Sequence, residues 1–273
     1  MVLLTVLGCS GSLPGPANPC SCYLVRSGSD ALVLDLGTGS VGAVLRAVAL
    51  PTAGGRGGAA VGDDSPGDEA SMPRPDLRGV LISHLHGDHA GDLHSLAYAM
   101  GKHAEWRSGP SNGPPLPVPV VTPGAAGPEA GEWLRFHASG RAARVFGSLG
   151  VQQVPVRHQV PCWATRVSCG GRSLVYTGDT GPCEDLERLA VGADVLLCEA
   201  ALAGATRRAT APGPPATHLT PGDAGRLAAG AGCALLVLTH LRPWADPARA
   251  ADEASREFAG PVVLAAPGLC VSV

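Results

Sequence analysis

Short apolar runs alternate along the chain with longer segments in which apolar residues recur at helical spacing. The short runs are rich in Val and Leu and end in turn residues, a pattern typical of β-strands. The predicted strands are 2–7, 22–26, 31–35, 79–83, 118–122, 151–156, 163–168, 172–177, 194–198, 234–239 and 261–265. The predicted helices are 40–50, 91–103, 127–137, 183–191, 221–230 and 246–258. Strands and helices that alternate over the whole length predict a layered α/β fold.

The helix predicted at 221–230 carries a start signal. Thr220 suits the N-cap position, and Pro221 suits the first helical position, where its missing N–H costs nothing. Asp223 places a negative charge in the first turn, where the helix dipole favours it. We therefore expect this helix to begin at Pro221.

Three segments rich in Gly and Pro interrupt the pattern, at 51–76, 108–117 and 204–216. The first also contains several acidic residues, and we predict that it is a flexible insertion in a single domain that spans 1–273. Loops of this kind in α/β enzymes either form walls or lids of a substrate site or are solvated insertions. The sequence leaves both readings open for each segment.

Composition limits the partners of the chain. It has 273 residues, 45% of them hydrophobic and 16% charged, with a formal net charge of −3. This charge does not favour binding to long nucleic acid or to an anionic membrane, so a small-molecule substrate is expected. The oligomeric state stays open, with a homodimer as the commonest assembly of soluble enzymes.

The cysteines and the apolar runs bear on location. The nine cysteines are odd in number and scattered, and most lie in apolar runs, which is typical of free thiols in a reducing compartment. No apolar run reaches the roughly 20 residues of a membrane helix, and the N-terminal run lacks the basic flank of a signal peptide. We therefore predict a cytoplasmic protein.

Residues 84–89 read His-Leu-His-Gly-Asp-His and directly follow the predicted strand 79–83. Imidazole nitrogen and carboxylate oxygen are zinc-type ligands. A lone histidine in a polar turn is usually a surface residue, but this density of ligand-type residues favours a metal site. The His-x-His pair can direct two rings at one ion, while the Asp-His pair reaches a second.

Three further ligand-type residues stand where predicted strands end: His158, Asp179 and His240. In layered α/β folds, side chains at strand ends converge in a shared crevice. Together with the first cluster they give seven ligands, enough for two divalent ions. Zn²⁺ fits these ligands, and Mn²⁺ or Fe²⁺ also binds His and Asp.

These motifs, in this order, resemble those of the metallo-β-lactamase superfamily. Within it the chain is similar to the branch of RNase Z and related phosphodiesterases, above all to the atypical class II cyclic-nucleotide phosphodiesterases of actinobacteria. Further matches are the segments 6–12, 34–37, 177–181, 194–200 and 218–220. The resemblance runs from residue 2 to about 245 and implies an αββα four-layer sandwich, with two mixed β-sheets flanked by helices.

The resemblance also assigns the ligands. It implies that Asp179 bridges the two ions and that the other six ligands divide into His84, His86 and His158 for one ion and Asp88, His89 and His240 for the other. Asp35 would support the cluster by accepting an imidazole N–H, or would only form the turn at a strand end.

A mechanism follows from the same resemblance. A hydroxide that bridges the two metals would attack the phosphoryl group, and Asp88 would orient it or accept its proton. His218 lies where RNase Z-like proteins carry a histidine that stabilises the phosphoryl group or protonates the leaving oxygen; otherwise it belongs to the loop that caps a helix. We expect three other histidines to be surface or packing residues: His94, His103 and His137.

Three functions remain open. The first is a metal-dependent phosphodiesterase for a small cyclic nucleotide or cyclic phosphate. The alternative is a metallo-hydrolase of an amide, lactone or thioester in a specialised metabolic pathway, because the same centre serves both chemistries. RNase Z-like tRNA 3′ processing is a minor alternative, since the acidic segment 51–76 does not suit phosphate contacts. A non-enzymatic reading, a metal-dependent scaffold without activity, would be favoured by a missing ligand, and all seven are present.

Overall fold

The computed structural model describes residues 1–49, 74–107, 116–125, 127, 132–204 and 216–273. The strands are β1 (Val2–Gly8), β2 (Cys22–Ser27), β3 (Asp30–Leu34), β4 (Asp76–Leu81), β5 (Val118–Thr122), β6 (Leu134–Ala138), β7 (Arg144–Phe146), β8 (Leu149–Val156), β9 (Cys162–Cys169), β10 (Arg172–Tyr176), β11 (Val195–Glu199), β12 (Leu235–Thr239), β13 (Val262–Leu264) and β14 (Cys270–Ser272). The helices are α1 (Val41–Ala47), α2 (Gly87–Ala90), α3 (Leu93–Arg107), α4 (Glu184–Ala190), α5 (Pro221–Ala231) and α6 (Pro247–Ser255), with one 3₁₀ turn at Pro123–Ala125.

The strands form two mixed sheets of seven. The first has the order β14-β1-β2-β3-β4-β5-β6, and the second has the order β13-β12-β11-β10-β9-β8-β7. In each sheet one half is antiparallel and the other half is parallel. The two sheets therefore share one architecture, in which the parallel strands end near the candidate site.

Three apolar layers hold the sheets and helices together. The central layer packs side chains of the first sheet, such as Leu4 and Leu34, against side chains of the second, such as Leu174 and Leu197. A second layer packs helices α4, α5 and α6 on the outer face of the second sheet. A third packs α1 and α3 on the outer face of the first sheet. This is the predicted αββα sandwich, and the fold prediction is confirmed.

The predicted helix at 127–137 is wrong in the part that the structure describes. Leu134–Ala138 is the edge strand β6, which pairs in parallel with β5. Leu134 and Phe136 alternate with polar residues, and they pack on the outer core of the first sheet. This period of two is the strand pattern, and pairing with β5 outweighs the helical propensity of the flanking residues.

The other predicted elements are present with small shifts at their ends. The eleven predicted strands and the remaining five predicted helices each overlap an observed element. The prediction missed β7 and β14, which have three residues each, and the single turn of α2. Elements this short carry too few residues to show a period.

Some predictions fall on undescribed residues. Of the predicted flexible insertion at 51–76, residues 51–73 lie outside the described part of the chain, and Asp76 already belongs to β4. Residues 108–115 and 205–215 of the other two loops also lie outside it. Among the helices that the structure describes, none combines the length and the apolar character that crossing a membrane requires.

Candidate metal centre

The histidine-rich segment turns sharply after β4. The backbone passes from Leu81 through Ser83 to His86, which stands just before the single-turn helix α2. Asp88 and His89 both lie in the single turn of α2, and the ring of His89 lies 4.1 Å from the ring of His84 between centroids. Backbone hydrogen bonds from Leu36 and Thr38 to this segment, at 2.7 and 3.2 Å, fix it against the loop after β3.

The remaining predicted ligands come from the second sheet. His158 follows β8, Asp179 follows β10 and His240 follows β12. The seven predicted metal ligands are therefore brought together from both sheets, as the sequence predicted. Metal binding by these residues is proposed below.

Three histidine rings form one group. Nδ1 of His86 lies 2.9 Å from Nε2 of His84 and 3.3 Å from Nε2 of His158. His84 is fully buried, whereas His86 and His158 are partly exposed. Three ligand nitrogens that face a common point are the arrangement of a three-histidine metal site.

A second group contains Asp88, His89 and His240. Oδ2 of Asp88 lies 3.8 Å from Nε2 of His89 and also 3.8 Å from Nε2 of His240. The backbone N–H of Ser12 donates to the same Oδ2 at 2.8 Å. This N–H therefore holds the carboxylate toward the two imidazoles.

Asp179 lies between the two groups. Its Oδ1 is 3.3 Å from Nε2 of His89, and its Oδ2 is 3.3 Å from Nε2 of His240 and 3.8 Å from Nε2 of His84. The carboxylate thus faces rings of both groups. This is the position that a bridging ligand requires.

Two buried atoms test whether this cluster fits a cation. Nε2 of His89 and Oδ1 of Asp179 are buried and have no hydrogen-bond partner among the residues that the structure describes, although they lie 3.3 Å apart. Leaving such a group unpaired costs about 1–3 kcal/mol. Two ligands on one tetrahedral zinc, with bonds of about 2.0–2.1 Å, lie about 3.3–3.4 Å apart. The donor set and its spacing therefore fit a divalent ion.

The electrostatics of the cluster also favour a cation. Burial lowers the pKa of His84 and of His158, which keeps both rings neutral and able to act as ligands. Burial acts to raise the pKa of Asp179, but His240 and His89 outweigh it and hold this pKa well below its usual range. Burial acts to lower the pKa of His89, but Asp179 and Asp35 raise it well above the usual value. The negative field that favours a proton on His89 would also stabilise a metal ion.

Asp35 contacts the Nδ1 side of the His89 ring. This buried carboxylate accepts hydrogen bonds from the N–H of Ser83 at 2.6 Å, the hydroxyl of Ser83 at 2.8 Å and the hydroxyl of Tyr176 at 2.6 Å. Its Oδ2 also lies 2.6 Å from Nδ1 of His89. With Nδ1–H donated to Asp35, the lone pair of His89 remains on Nε2, which faces Asp179. Asp35 lies where the sequence suggested a supporting carboxylate.

Asp35 and His240 share an unusual backbone conformation. Their φ angles are 57° and 55°, in the left-handed region that non-glycine residues seldom adopt. Strained residues of this kind persist where the surrounding structure holds them, often at functional sites. A Cβ at Gly11 would lie 2.5 Å from the carbonyl oxygen of His240, so this close approach requires glycine.

Neutral groups hold the other rings. The hydroxyl of Ser21 lies 3.0 Å from Nδ1 of His240. The backbone carbonyl of Thr217 lies 3.0 Å from Nδ1 of His158. Cys162 is buried with its thiol 3.7 Å from Nδ1 of His84. Each contact limits how the ring can rotate, and sequence reasoning did not identify Ser21 or Thr217.

His218 forms a pair with Glu199, which sequence reasoning missed. Oε1 of Glu199 lies 2.9 Å from Nδ1 of His218 and accepts from the N–H of Thr180 at 2.8 Å, while Oε2 accepts from the N–H of Ala201 at 2.9 Å. Burial acts to lower the pKa of His218, but the hydrogen bond and charge of Glu199 outweigh it and raise this pKa. An acid at the end of the apolar strand β11 was the available signal.

The loop that carries His218 is anchored by helix α5. The side chain of Thr220 accepts from the N–H of Asp223 at 3.1 Å, and the carboxylate of Asp223 accepts from the N–H of Thr220 at 3.1 Å. This capping box confirms the predicted helix start and contributes about 1 kcal/mol. His218 lies 3.9 Å from Asp179 through its Nδ1. Its ring also comes within metal-binding reach of His158 and Asp179, but Nδ1 is already engaged by Glu199.

The other histidines lie apart from the cluster. His94 is exposed on α3, as expected, and His137 lies half-buried on the edge strand β6 rather than at a helix end. The side chain of His103 lies outside the described part of the chain.

Six of the nine cysteines are buried, and all nine are free thiols.

Comparison with known proteins finds a matching domain family and several relatives. A model of the β-lactamase superfamily domain matches residues 64–241. An uncharacterised protein of Mycobacterium tuberculosis is 35% identical over 274 residues, which cover 96% of this chain and 88% of the relative. Ribonuclease Z of Mycobacterium bovis is 29% identical over 217 residues, which cover 72% of this chain and 69% of the relative.

A third relative has a solved structure. The probable metallo-hydrolase YhfI of Bacillus subtilis is 26% identical over 272 residues, which cover 97% of each chain. The crystal structure of this metallo-β-lactamase fold protein superposes with a TM-score of 0.79 at 24% identity, over 99% of this chain and 98% of that one. The two chains thus share the fold over nearly their whole length.

Proposed function

The chain belongs to the β-lactamase superfamily, and we propose that it is a dinuclear-metal phosphodiesterase that cleaves a small cyclic nucleotide or cyclic phosphate. Its fold is that of a metallo-hydrolase, and hydrolase chemistry follows from the family. The proposal of a phosphodiesterase rests on the Glu199–His218 pair. Nδ1 of His218 in this pair lies 3.9 Å from Oδ2 of Asp179. A proton donor beside the proposed metal ligands suits a reaction that expels an alkoxide, as cleavage of a phosphodiester does.

We assign the ligands by the groups in which the structure holds them. One ion would be held by the three rings that meet at Nδ1 of His86, and the second by the group around Oδ2 of Asp88. Asp179 would be the bridge, because its carboxylate lies 3.3 Å from Nε2 of His89 and of His240 in the second group and 3.8 Å from Nε2 of His84 in the first. The assignment to the first ion is His84, His86 and His158, and the assignment to the second is Asp88, His89 and His240.

Two divalent ions, when bound, supply an activated water and polarise the phosphoryl oxygens. Asp88 orients this water. Its Oδ2 is fixed by the N–H of Ser12, which leaves Oδ1 to accept a proton. Asp88 thus serves both as a ligand and as the residue that takes the proton of the nucleophile.

His218 protonates the leaving oxygen. Cleavage of a phosphodiester expels an alkoxide, which is a poor leaving group unless it receives a proton. Glu199 holds Nδ1 of His218 and raises its pKa, so the imidazolium persists toward neutral pH. Nε2 is then the nitrogen that can donate its proton to the departing ribose oxygen.

Charge favours a small phosphodiester over a long RNA. Proteins that bind long nucleic acids contact the phosphates with many Lys and Arg side chains. This chain has a net charge of −3, although it is 29% identical to a ribonuclease Z. A small cyclic phosphodiester needs only the centre and a few contacts around it.

A panel of three substrates tests the proposal. The protein loaded with Zn²⁺ or Mn²⁺ is offered 3′,5′-cyclic AMP, bis(p-nitrophenyl) phosphate and a p-nitrophenyl carboxylic ester. We expect metal-dependent turnover of both phosphodiesters, and none in the Asp179→Ala variant. Cleavage of the ester alone would contradict the proposal and would favour a hydrolase of carbonyl substrates.

A further inference from the structure

Three large exposed apolar side chains belong to the chain segments that carry residues of the candidate centre. Leu85 lies between two predicted ligands and is 43% exposed, and Leu13 follows Ser12, which binds Asp88, and is 58% exposed. Trp244 is 68% exposed and lies four residues after His240. Exposed apolar surface at a polar crevice is typical of a ligand-binding site.

Trp244 is paired with a cation. The guanidinium carbon of Arg242 lies 5.9 Å from the centroid of the indole ring, within the range of a cation–π interaction. A turn closed by the hydrogen bond from the N–H of Ala245 to the carbonyl of Arg242, at 2.9 Å, holds the two side chains near each other. Within the described part of the chain, Arg242 has no carboxylate at ion-pair distance, whereas Arg226 and Arg188 each contact two.

The backbone fixes this pair relative to the centre. Leu241 forms a parallel bridge with Ser10, and its carbonyl accepts from the N–H of Gly11 at 3.0 Å. His240, directly before it, is held through its N–H by the carbonyl of Cys9 at 3.1 Å. Arg242 therefore follows directly on a segment whose backbone is fixed beside the candidate centre.

We propose that Arg242 and Trp244 form a nucleotide-binding edge, in which Arg242 binds a phosphate oxygen of the substrate and Trp244 stacks on its base. The guanidinium presents paired donors that match phosphate oxygens. The exposed face of Trp244 offers a stacking surface for a purine or pyrimidine. This inference rests on the proposed phosphodiesterase function and specifies its substrate as a nucleotide rather than a cyclic phosphate without a base.

Substrates with and without a base separate the two roles. Trp244→Ala should lower kcat/KM for 3′,5′-cyclic AMP by about tenfold or more, mainly through KM, since stacking of one base commonly contributes this much. It should leave kcat/KM for glycerol 1,2-cyclic phosphate within about twofold. Arg242→Gln should lower kcat/KM for both substrates. Equal losses on both substrates for Trp244→Ala, or no loss on cyclic AMP, would overturn the proposal.

A matched control pair lies on helix α3. Lys102 sits 5.7 Å from the ring centroid of Tyr98, which is 64% exposed, so the pair has the same chemistry on a different element. The double variant Tyr98→Ala and Lys102→Ala should leave kcat/KM unchanged for both substrates. Thermal unfolding of each variant verifies that the loss does not come from a destabilised fold.

Equilibrium binding separates this inference from the proposed function. Binding of adenosine 5′-monophosphate to the wild-type and variant proteins is measured by calorimetry, which needs no turnover. Weaker binding by about tenfold in Trp244→Ala would support the stacking role even if no phosphodiester were cleaved. Unchanged binding in this variant, or no binding by the wild-type protein, would overturn it even if cyclic phosphates were cleaved.

Discussion

Nε2 of His89 faces Oδ1 of Asp179 at 3.3 Å, and neither atom has a hydrogen-bond partner among the residues that the structure describes. Two buried polar atoms in this position cost free energy unless a cation lies between them. Nδ1 of His89 is engaged by Asp35, which directs the free nitrogen at Asp179. The relationship between these two residues is therefore the structural basis for proposing a metal centre.

Replacing Asp179 should unbalance the proposed metal pair. Asp179→Ala removes the carboxylate that faces His84, His89 and His240 at 3.3 to 3.8 Å. We expect the variant to lose at least one ion per chain and to lose turnover. Metal analysis of the purified variant checks this, with Asp185→Ala, a surface ion-pair residue, as the control. Two ions per chain and full activity in Asp179→Ala would contradict the bridging role.

Replacing His218 should slow turnover without removing metal. Its Nδ1 is engaged by Glu199, so the ion count of His218→Ala should stay near that of the wild type. Turnover should fall on the order of 10²-fold, the usual cost of losing a general acid. Metal loss in this variant would instead place His218 among the ligands, with His158 and Asp179 as its neighbours.

The pH dependence of kcat should depend on the Glu199–His218 pair. Glu199 raises the pKa of His218, so the protonated form persists to higher pH in the wild-type protein. Glu199→Gln removes the negative charge, so this pKa should fall and the alkaline limb of kcat should move to lower pH. Profiles of kcat for the two proteins measure the shift. A limb at the same pH in both would show that it belongs to another group.

Asp35 should control metal affinity in a graded way. The carboxylate of Asp35 accepts three hydrogen bonds and faces Nδ1 of His89. Asp35→Asn replaces this carboxylate with an amide. Loss of such a supporting contact typically weakens metal binding about 10–100-fold. Tyr176→Phe removes only one donor to Asp35 and should cause a smaller loss. Competition with a chelator measures both, and equal affinities in all three proteins would contradict the supporting role.

Removing metal should lower thermal stability. A ligand that binds only the folded state at 100 times its Kd contributes about 2.7 kcal/mol, and for a chain of this size each kcal/mol shifts Tm by about 2–4 °C. We therefore expect Tm to fall by about 5 °C or more when a chelator strips the wild-type protein. The Asp179→Ala variant should respond less. An unchanged wild-type Tm would indicate that the cluster binds no metal tightly.

Local sequence was enough to predict most of the fold and the convergence of the seven candidate ligands. The ligands stand at strand ends or in one short segment, so chain order alone brings them to one edge of the sandwich. The edge strand β6 was mistaken for a helix because its alternation covers only five residues and its pairing with β5 is a tertiary contact. Glu199 was missed for a related reason: its partner His218 lies 19 residues away, and only the folded chain joins them.

Supporting groups were the hardest to predict. Ser21 contacts His240 across 219 positions of sequence, and Tyr176 contacts Asp35 across 141. Serine and tyrosine are common in strands and carry no metal-binding signal of their own. Their roles depend on which rings the fold places beside them, and a single sequence does not encode that in any local pattern.

Elemental analysis of the purified protein after equilibration with Zn²⁺ measures directly whether the cluster binds two ions. The structure brings together two groups of candidate ligands around Asp179, and we predict two tightly held ions per chain. We also predict that the ions and the hydrolysis of 3′,5′-cyclic AMP are lost together when a chelator is added. One ion or none per chain in the equilibrated protein would contradict a dinuclear centre.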